Sequence, residues 1–259
     1  MNGLLFAHYG PGPNFRAILS SDRQNGRLLT FNYFIHMNIW IIMIVIMVLS
    51  MLIQSTLQSR FSKYSQVRLP NGMTGADVAR KMLQDHGIYD VQVVATRGML
   101  TDHFNPQTKT VALSEGVYGS RSVAAAAVAA HECGHAVQHA HGYAALRMRS
   151  ALVPVVNFAS NIVQWVLLAG VIFIKTFPGL LWFGIILFAT TTLFSFVTLP
   201  VEINASSRAI SWLTQTGITD SQTRPMAIDA LKWAAYTYVI AALGSLATLL
   251  YYIGLARRD

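Results

Sequence analysis

Residues 131–135 read His-Glu-Cys-Gly-His. On a helix, positions i and i+4 share a face, so His131 and His135 can both reach one metal ion. Zinc lowers the pKa of a bound water toward about 7, which makes that water able to attack a carbonyl. Glu132 can take the water's proton and later hand it to a leaving amine. The pattern reads as peptide-bond hydrolysis with one Zn2+ as cofactor. The chain has 8 His and its glutamates are Glu115, Glu132 and Glu202. That composition gives the string about 0.003 times by chance. The bland reading is a helix with two surface histidines.

Catalytic zinc usually has three protein ligands and one open position. Two residues compete for the third place. His141 stands six residues after His135, the offset of the third His in the long metzincin motif. That motif needs a Gly three residues after the second His, and this chain has Gln138 there. Glu202 is the favoured ligand. It follows Pro200 at the edge of an apolar run, where an unpartnered carboxylate is costly. Its bland alternative is an ion pair with Arg208. His139 reads as a helix-surface histidine. His103 can donate to an oxyanion if its turn borders the cleft, and Asp102 can orient a ligating imidazole. A plain loop histidine and a turn-stabilising aspartate are the alternatives. Cys133 reads as a small helix packer.

The elements that must position these residues are mostly apolar. Hydrophobic residues make up 53% of the chain and charged ones 12%, about half the share of a soluble domain. The composition is that of a membrane protein. The net charge of +8 has no concentrated basic tract or nucleic-acid motif behind it. Basic residues beside apolar runs fit anionic lipid head groups, so the expected partners are a bilayer and a protein or peptide substrate, not nucleic acid. One cysteine excludes a disulfide framework and a cysteine-based zinc cluster.

Four runs are near the ~20 residues that cross a bilayer. They cover about 31–53, 153–174, 177–199 and 234–255. The first lacks a small-residue cleavage pattern and reads as a retained anchor. Residues 1–30 have the composition of a disordered tail, and Met37 is an alternative start. Between the first two spans, 54–152 is polar-mixed. Thr74 and Asp77 have capping-box spacing ahead of the stripe Val78, Met82, Leu83. Runs at 91–95, 100–104 and 110–113 read as strands, the last two as a hairpin broken by Asn105-Pro106. Ser122 opens an alanine-rich helix that carries the motif. A short link at 175–178 joins the second and third spans. Two crossings return the chain to its starting side, so 54–152 and the third-ligand segment 200–233 share one face. Lys and Arg are nearly balanced between the two faces, so charge does not orient the chain. The expected fold is mainly α. It has about four transmembrane helices and a small α+β zincin-like domain of a short hairpin or sheet plus the active-site helix.

Several separated strings resemble one family. They are 100–106, 108–114, 122–125, 129–139, 151–154 and Leu199-Pro-Val-Glu-Ile-Asn-Ala-Ser. In that order they resemble the YugP-type membrane zinc metallopeptidases of bacteria, over about 55–255. The resemblance implies a multi-pass protease of the bacterial inner membrane and maps its third ligand onto Glu202. The chain departs from the pattern at Ile203 and Asn204, where Phe and Asp are usual. The same stretch is similar to HtpX and prenyl-protein proteases, with Ser206 in place of their Asp. Two rivals compete with an endopeptidase acting on membrane or membrane-proximal proteins. One is a catalytically silent zinc- or peptide-binding scaffold, which would be expected to lack Glu132. The other is a small transporter, which would more often carry a charge mid-span.

Overall fold

The structure is a computed structural model that describes residues 40–257. The expectations for the 1–30 tail and for a start at Met37 lie outside those residues. The chain divides into compact units 1–45 and 46–259. The described part of the first, 40–45, is helical.

Helix α1 spans Trp40–Ser65. Helix α2 (Gly75–Asp85) starts at the Thr74–Asp77 capping box, with Asp77 N–H donating to Thr74 Oγ1 and Thr74 N–H to the Asp77 carboxylate. The same Thr74 bonds hold the Asp77 carboxyl below its usual range. Strands β1 (Gln92–Thr96), β2 (His103–Asn105) and β3 (Thr110–Ser114) form one sheet in the order β1-β3-β2. Strand β3 pairs parallel with β1 and antiparallel with β2, so the expected hairpin is present. Strand β2 begins later than the sequence run at 100 because Gly98 and Leu100 take left-handed backbone, at φ 101° and 57°. Asn105 closes the turn by accepting from the Gln107 and Thr108 N–H groups.

A short helix, α3 (Glu115–Tyr118), leads to α4 (Val123–Ala140). Ser122 caps α4, its hydroxyl accepting from Ala125 N–H. Helix α4 is buried around most of its circumference, and its run of small Ala side chains lets neighbours approach on every side. Val78 and Met82 of α2 pack with Val111 and Leu113 of β3 and with Val123 and Val137 of α4 in one core. Each such side chain contributes roughly 1.5–3 kcal/mol on burial.

Three long helices follow. They are α5 (Ala144–Ile172), α6 (Pro178–Gln215) and α7 (Arg224–Ala256). Helices α5 and α6 form a tight hairpin. A Cβ on Gly170 would stand 2.7 Å from Leu181 Cα, so glycine permits the approach. Helix α6 continues through Pro200 without a break. Its first half is apolar, and its second half returns Ala209, Trp212 and Leu213 to the core around α4. Trp212 also donates its indole N–H to Asp85 of α2. The third-ligand region therefore starts inside a continuous helix.

Helices α1, α5, α6 and α7 are each long and apolar enough to cross a membrane. Protein covers between 0% and 28% of their apolar windows. Core helices of a water-soluble domain would bury that surface. The observed architecture is thus mainly helical, with four candidate spans and a small three-stranded sheet.

Candidate metal centre

Helix α4 presents His131 and His135 one turn apart on one face, with ring centroids 4.8 Å apart and nearly perpendicular. Helix α6 crosses that face. A Cβ on Gly134 would lie 2.7 Å from the Ala205 carbonyl oxygen, so only glycine lets the two backbones meet there. This contact carries Glu202 to the imidazoles. Glu202 Oε2 lies 3.2 Å from His131 Nε2 and 3.5 Å from His135 Nε2. One donor atom from each of the three residues falls within 4.8 Å of the others.

The donor set fits zinc. It offers two imidazole nitrogens and one carboxylate oxygen, leaving a fourth position open. Glu202 is 2% exposed, and an isolated carboxylate at that depth is expensive. Arg149 of α5 meets its other oxygen at 3.1 Å. The ion pair suggested by sequence is therefore made with Arg149. Arg208 instead donates Nε–H to Asn204 Oδ1 at 2.8 Å.

Each imidazole is held from behind. His131 Nδ1 pairs with Ser206 Oγ at 3.1 Å. His135 Nδ1 pairs with Gln138 Oε1 at 3.1 Å. Such bonds fix ring orientation and leave the far nitrogen for a cation. Burial pushes the His135 imidazole down, but the Glu202 and Glu132 carboxylates outweigh it and hold the group above its ordinary value. The same carboxylates favour a metal cation there.

The site opens into a cleft of about 390 Å³. Its lining includes His131, Glu132, His135 and Glu202. Asp102, His103 and Phe104 of the β2 region line it too, as do Val153 of α5 and Phe194 of α6. Glu132 thus shares a cavity with all three candidate ligands. His103 Nδ1–H donates to the Thr101 carbonyl at 2.7 Å. Neutral His103 then has an accepting Nε2, and only its imidazolium can donate a second bond. Asp102 turns both carboxylate oxygens to Ser114, accepting from its N–H at 2.7 Å and from its hydroxyl. Its carboxylate pins the start of β2 to the end of β3, and the bonds expected from it to a ligating imidazole are made by Ser206 and Gln138.

The remaining candidates stand apart. His141 ends α4, with Nδ1–H donating to the Val137 carbonyl at 2.8 Å, and is outside the metal group. His139 is exposed and meets the Phe104 ring. Cys133 points away toward the Ala79 carbonyl, and burial pushes its thiol pKa up. Sequence reasoning did not single out Arg149, Gln138 or Tyr238. Gln138 sits three residues after His135, a spacing that could have shown it. Arg149 and Tyr238 reach the cleft through helix packing alone and carry no local signal.

A family model described as "Putative neutral zinc metallopeptidase" matches residues 39–257. The chain belongs to that family. The Bacillus subtilis (strain 168) protein named "Putative membrane protease YugP" is 44% identical over 205 residues. The match covers 79% of this chain and 90% of that protein. No solved structure matches. This protein is accordingly a zinc metallopeptidase relative with a His-His-Glu group able to hold a metal ion.

Proposed function

We propose that the chain is a multi-pass, zinc-dependent endopeptidase of the bacterial cell membrane that cuts membrane or membrane-proximal proteins. The observation that carries this reading is the convergence of His131, His135 and Glu202 on a cleft that also holds Glu132. When bound, a zinc ion supplies a Lewis acid that makes a water acidic near neutral pH. His131, His135 and Glu202 would hold that ion, and Glu132 would take a proton from a water in the cleft and pass it to the leaving amine. His103 lines the same cleft, where a ring N–H could donate to the carbonyl oxygen as negative charge develops there.

Strand β2 supports the endopeptidase assignment. Among the described residues it pairs with β3 on one side only, and it lines the cleft. Its free edge can pair with an extended peptide, and that mode needs no chain terminus. Val153 and Phe194 support a membrane-proximal substrate, because the cleft wall they form belongs to two of the candidate spans. Glu132 in the cleft argues against a silent scaffold.

The test is Glu132→Gln in the full chain, purified in detergent. It should keep one zinc per chain and lose casein cleavage by about 100-fold or more. Undiminished cleavage would remove Glu132 as the base.

A further inference from the structure

Behind His135 a line of polar side chains runs from α6 into α4. We propose that Gln138, oriented by the Val201 carbonyl and by Asn204 with Arg208 behind it, sets the tautomer of His135 and so decides which ring nitrogen keeps a lone pair for the metal. The proposal rests on reading His131, His135 and Glu202 as the metal ligands.

The assignment starts from a group with no freedom. An arginine guanidinium has donors only. Arg208 Nε–H lies 2.8 Å from Asn204 Oδ1, which fixes that end of the Asn204 amide as the acceptor. Gln138 Nε2 lies 3.0 Å from the same oxygen and 2.8 Å from the Val201 carbonyl oxygen. With two acceptors on that side, the Gln138 amide must place its NH2 there. The reverse orientation would set Oε1 against both oxygens. Gln138 is 0% exposed, so water cannot relieve that clash.

Gln138 Oε1 is left facing His135 Nδ1 at 3.1 Å. A carbonyl oxygen only accepts, so Nδ1 carries the proton. His135 Nε2 then holds the lone pair, and Nε2 is the nitrogen 3.5 Å from Glu202 Oε2. The Val201 carbonyl by itself requires the Gln138 NH2 on that side, and Arg208 adds to this by holding Asn204 Oδ1 as a second acceptor. His131 differs. Its partner is the Ser206 hydroxyl, which both donates and accepts and therefore imposes no tautomer. The relay also ties α4 to the turn of α6 that carries Glu202, since Val201 and Asn204 flank that residue. Gln138, Asn204 and Arg208 are positioning residues. None of them lines the cleft.

The test uses the full chain in detergent micelles. Zinc affinity is measured by chelator competition for wild type, Arg208→Leu, Gln138→Met and the double variant. Gln138→Met should weaken zinc by roughly 10- to 100-fold, and Arg208→Leu by less, because the Val201 carbonyl still orients Gln138. The double variant should be no weaker than Gln138→Met alone, because the line is already cut. Asn204→Asp, an acceptor-only group, should stay within about threefold of wild type, whereas Asn204→Leu should not. Long-range proton–nitrogen spectra of the metal-free protein, with neutral imidazoles, give the tautomer directly. The His135 signal is assigned by its loss in His135→Asn. Wild type should show Nδ1–H, and Gln138→Met a mixture. Unchanged zinc affinity in Gln138→Met, additive losses in the double variant, or an Nε2–H form in wild type would overturn the relay. If Arg208→Leu does not fold, the Gln138 and Asn204 variants carry the same decision. Wild type that shows Nδ1–H yet takes no zinc would sink the metal-centre reading and leave the relay standing.

Discussion

Helix α4 carries its two site imidazoles one turn apart on a single face, whereas α6 delivers one carboxylate from 71 positions further along the chain. The α4 pair is set by helix geometry alone, and any helix over 131–135 would bring the rings together. The α6 contribution depends on where a 38-residue helix lands after the α5–α6 hairpin. Its landing brings the Ala205 backbone against Gly134, an approach that a side chain at 134 would block. Half of the site is therefore local and robust, and the other half is tertiary and exposed to packing errors.

That difference can be broken at the contact itself. Gly134→Ala leaves every proposed ligand and the base in place, and alanine is the better helix former. It should nevertheless cost about 1–3 kcal/mol by overpacking, because backbone cannot yield as a flexible side chain does. Thermal unfolding in detergent should show the loss. Zinc affinity should fall as well, since α6 is pushed away from α4 and Glu202 moves with it. Retained stability and zinc affinity would show that the approach of α6 does not matter.

A change remote from the junction sharpens the same contrast. Asp77→Ala removes half of the α2 capping box and should cost about 1 kcal/mol or less, read as a small fall in Tm. Zinc affinity should not move. The sign of its pH dependence follows from its lowered carboxyl pKa. The Asp77 contribution is present above the ordinary carboxylate pKa and is lost as pH falls through the folded value.

The local half was legible in the sequence for the same reason that it is robust. His131, Glu132 and His135 announce themselves by spacing, and Thr74, Asp77 and Ser122 mark helix starts through short-range bonding. The hairpin was visible in Asn105-Pro106, although the left-handed Leu100 that shortens β2 was not. Glu202 was reachable by counting apolar runs and by the cost of a lone carboxylate near hydrocarbon. Its partner was not, because Arg149 meets it only after α5 and α6 pack. The parallel pairing of β1 with β3 was likewise invisible, since the two strands are brought side by side by long-range packing. Gln138 gains Asn204 as a partner only when α6 lies across α4.

As proposed, Glu202 completes a centre that α4 begins. The direct measurement is zinc content and affinity of wild type, Glu202→Gln and His141→Ala, purified in parallel. Wild type and His141→Ala should each hold one zinc per chain with similar affinity, and Glu202→Gln should bind roughly 100-fold or more weakly. Full zinc in Glu202→Gln together with its loss in His141→Ala would contradict the account and place the third ligand at the end of α4.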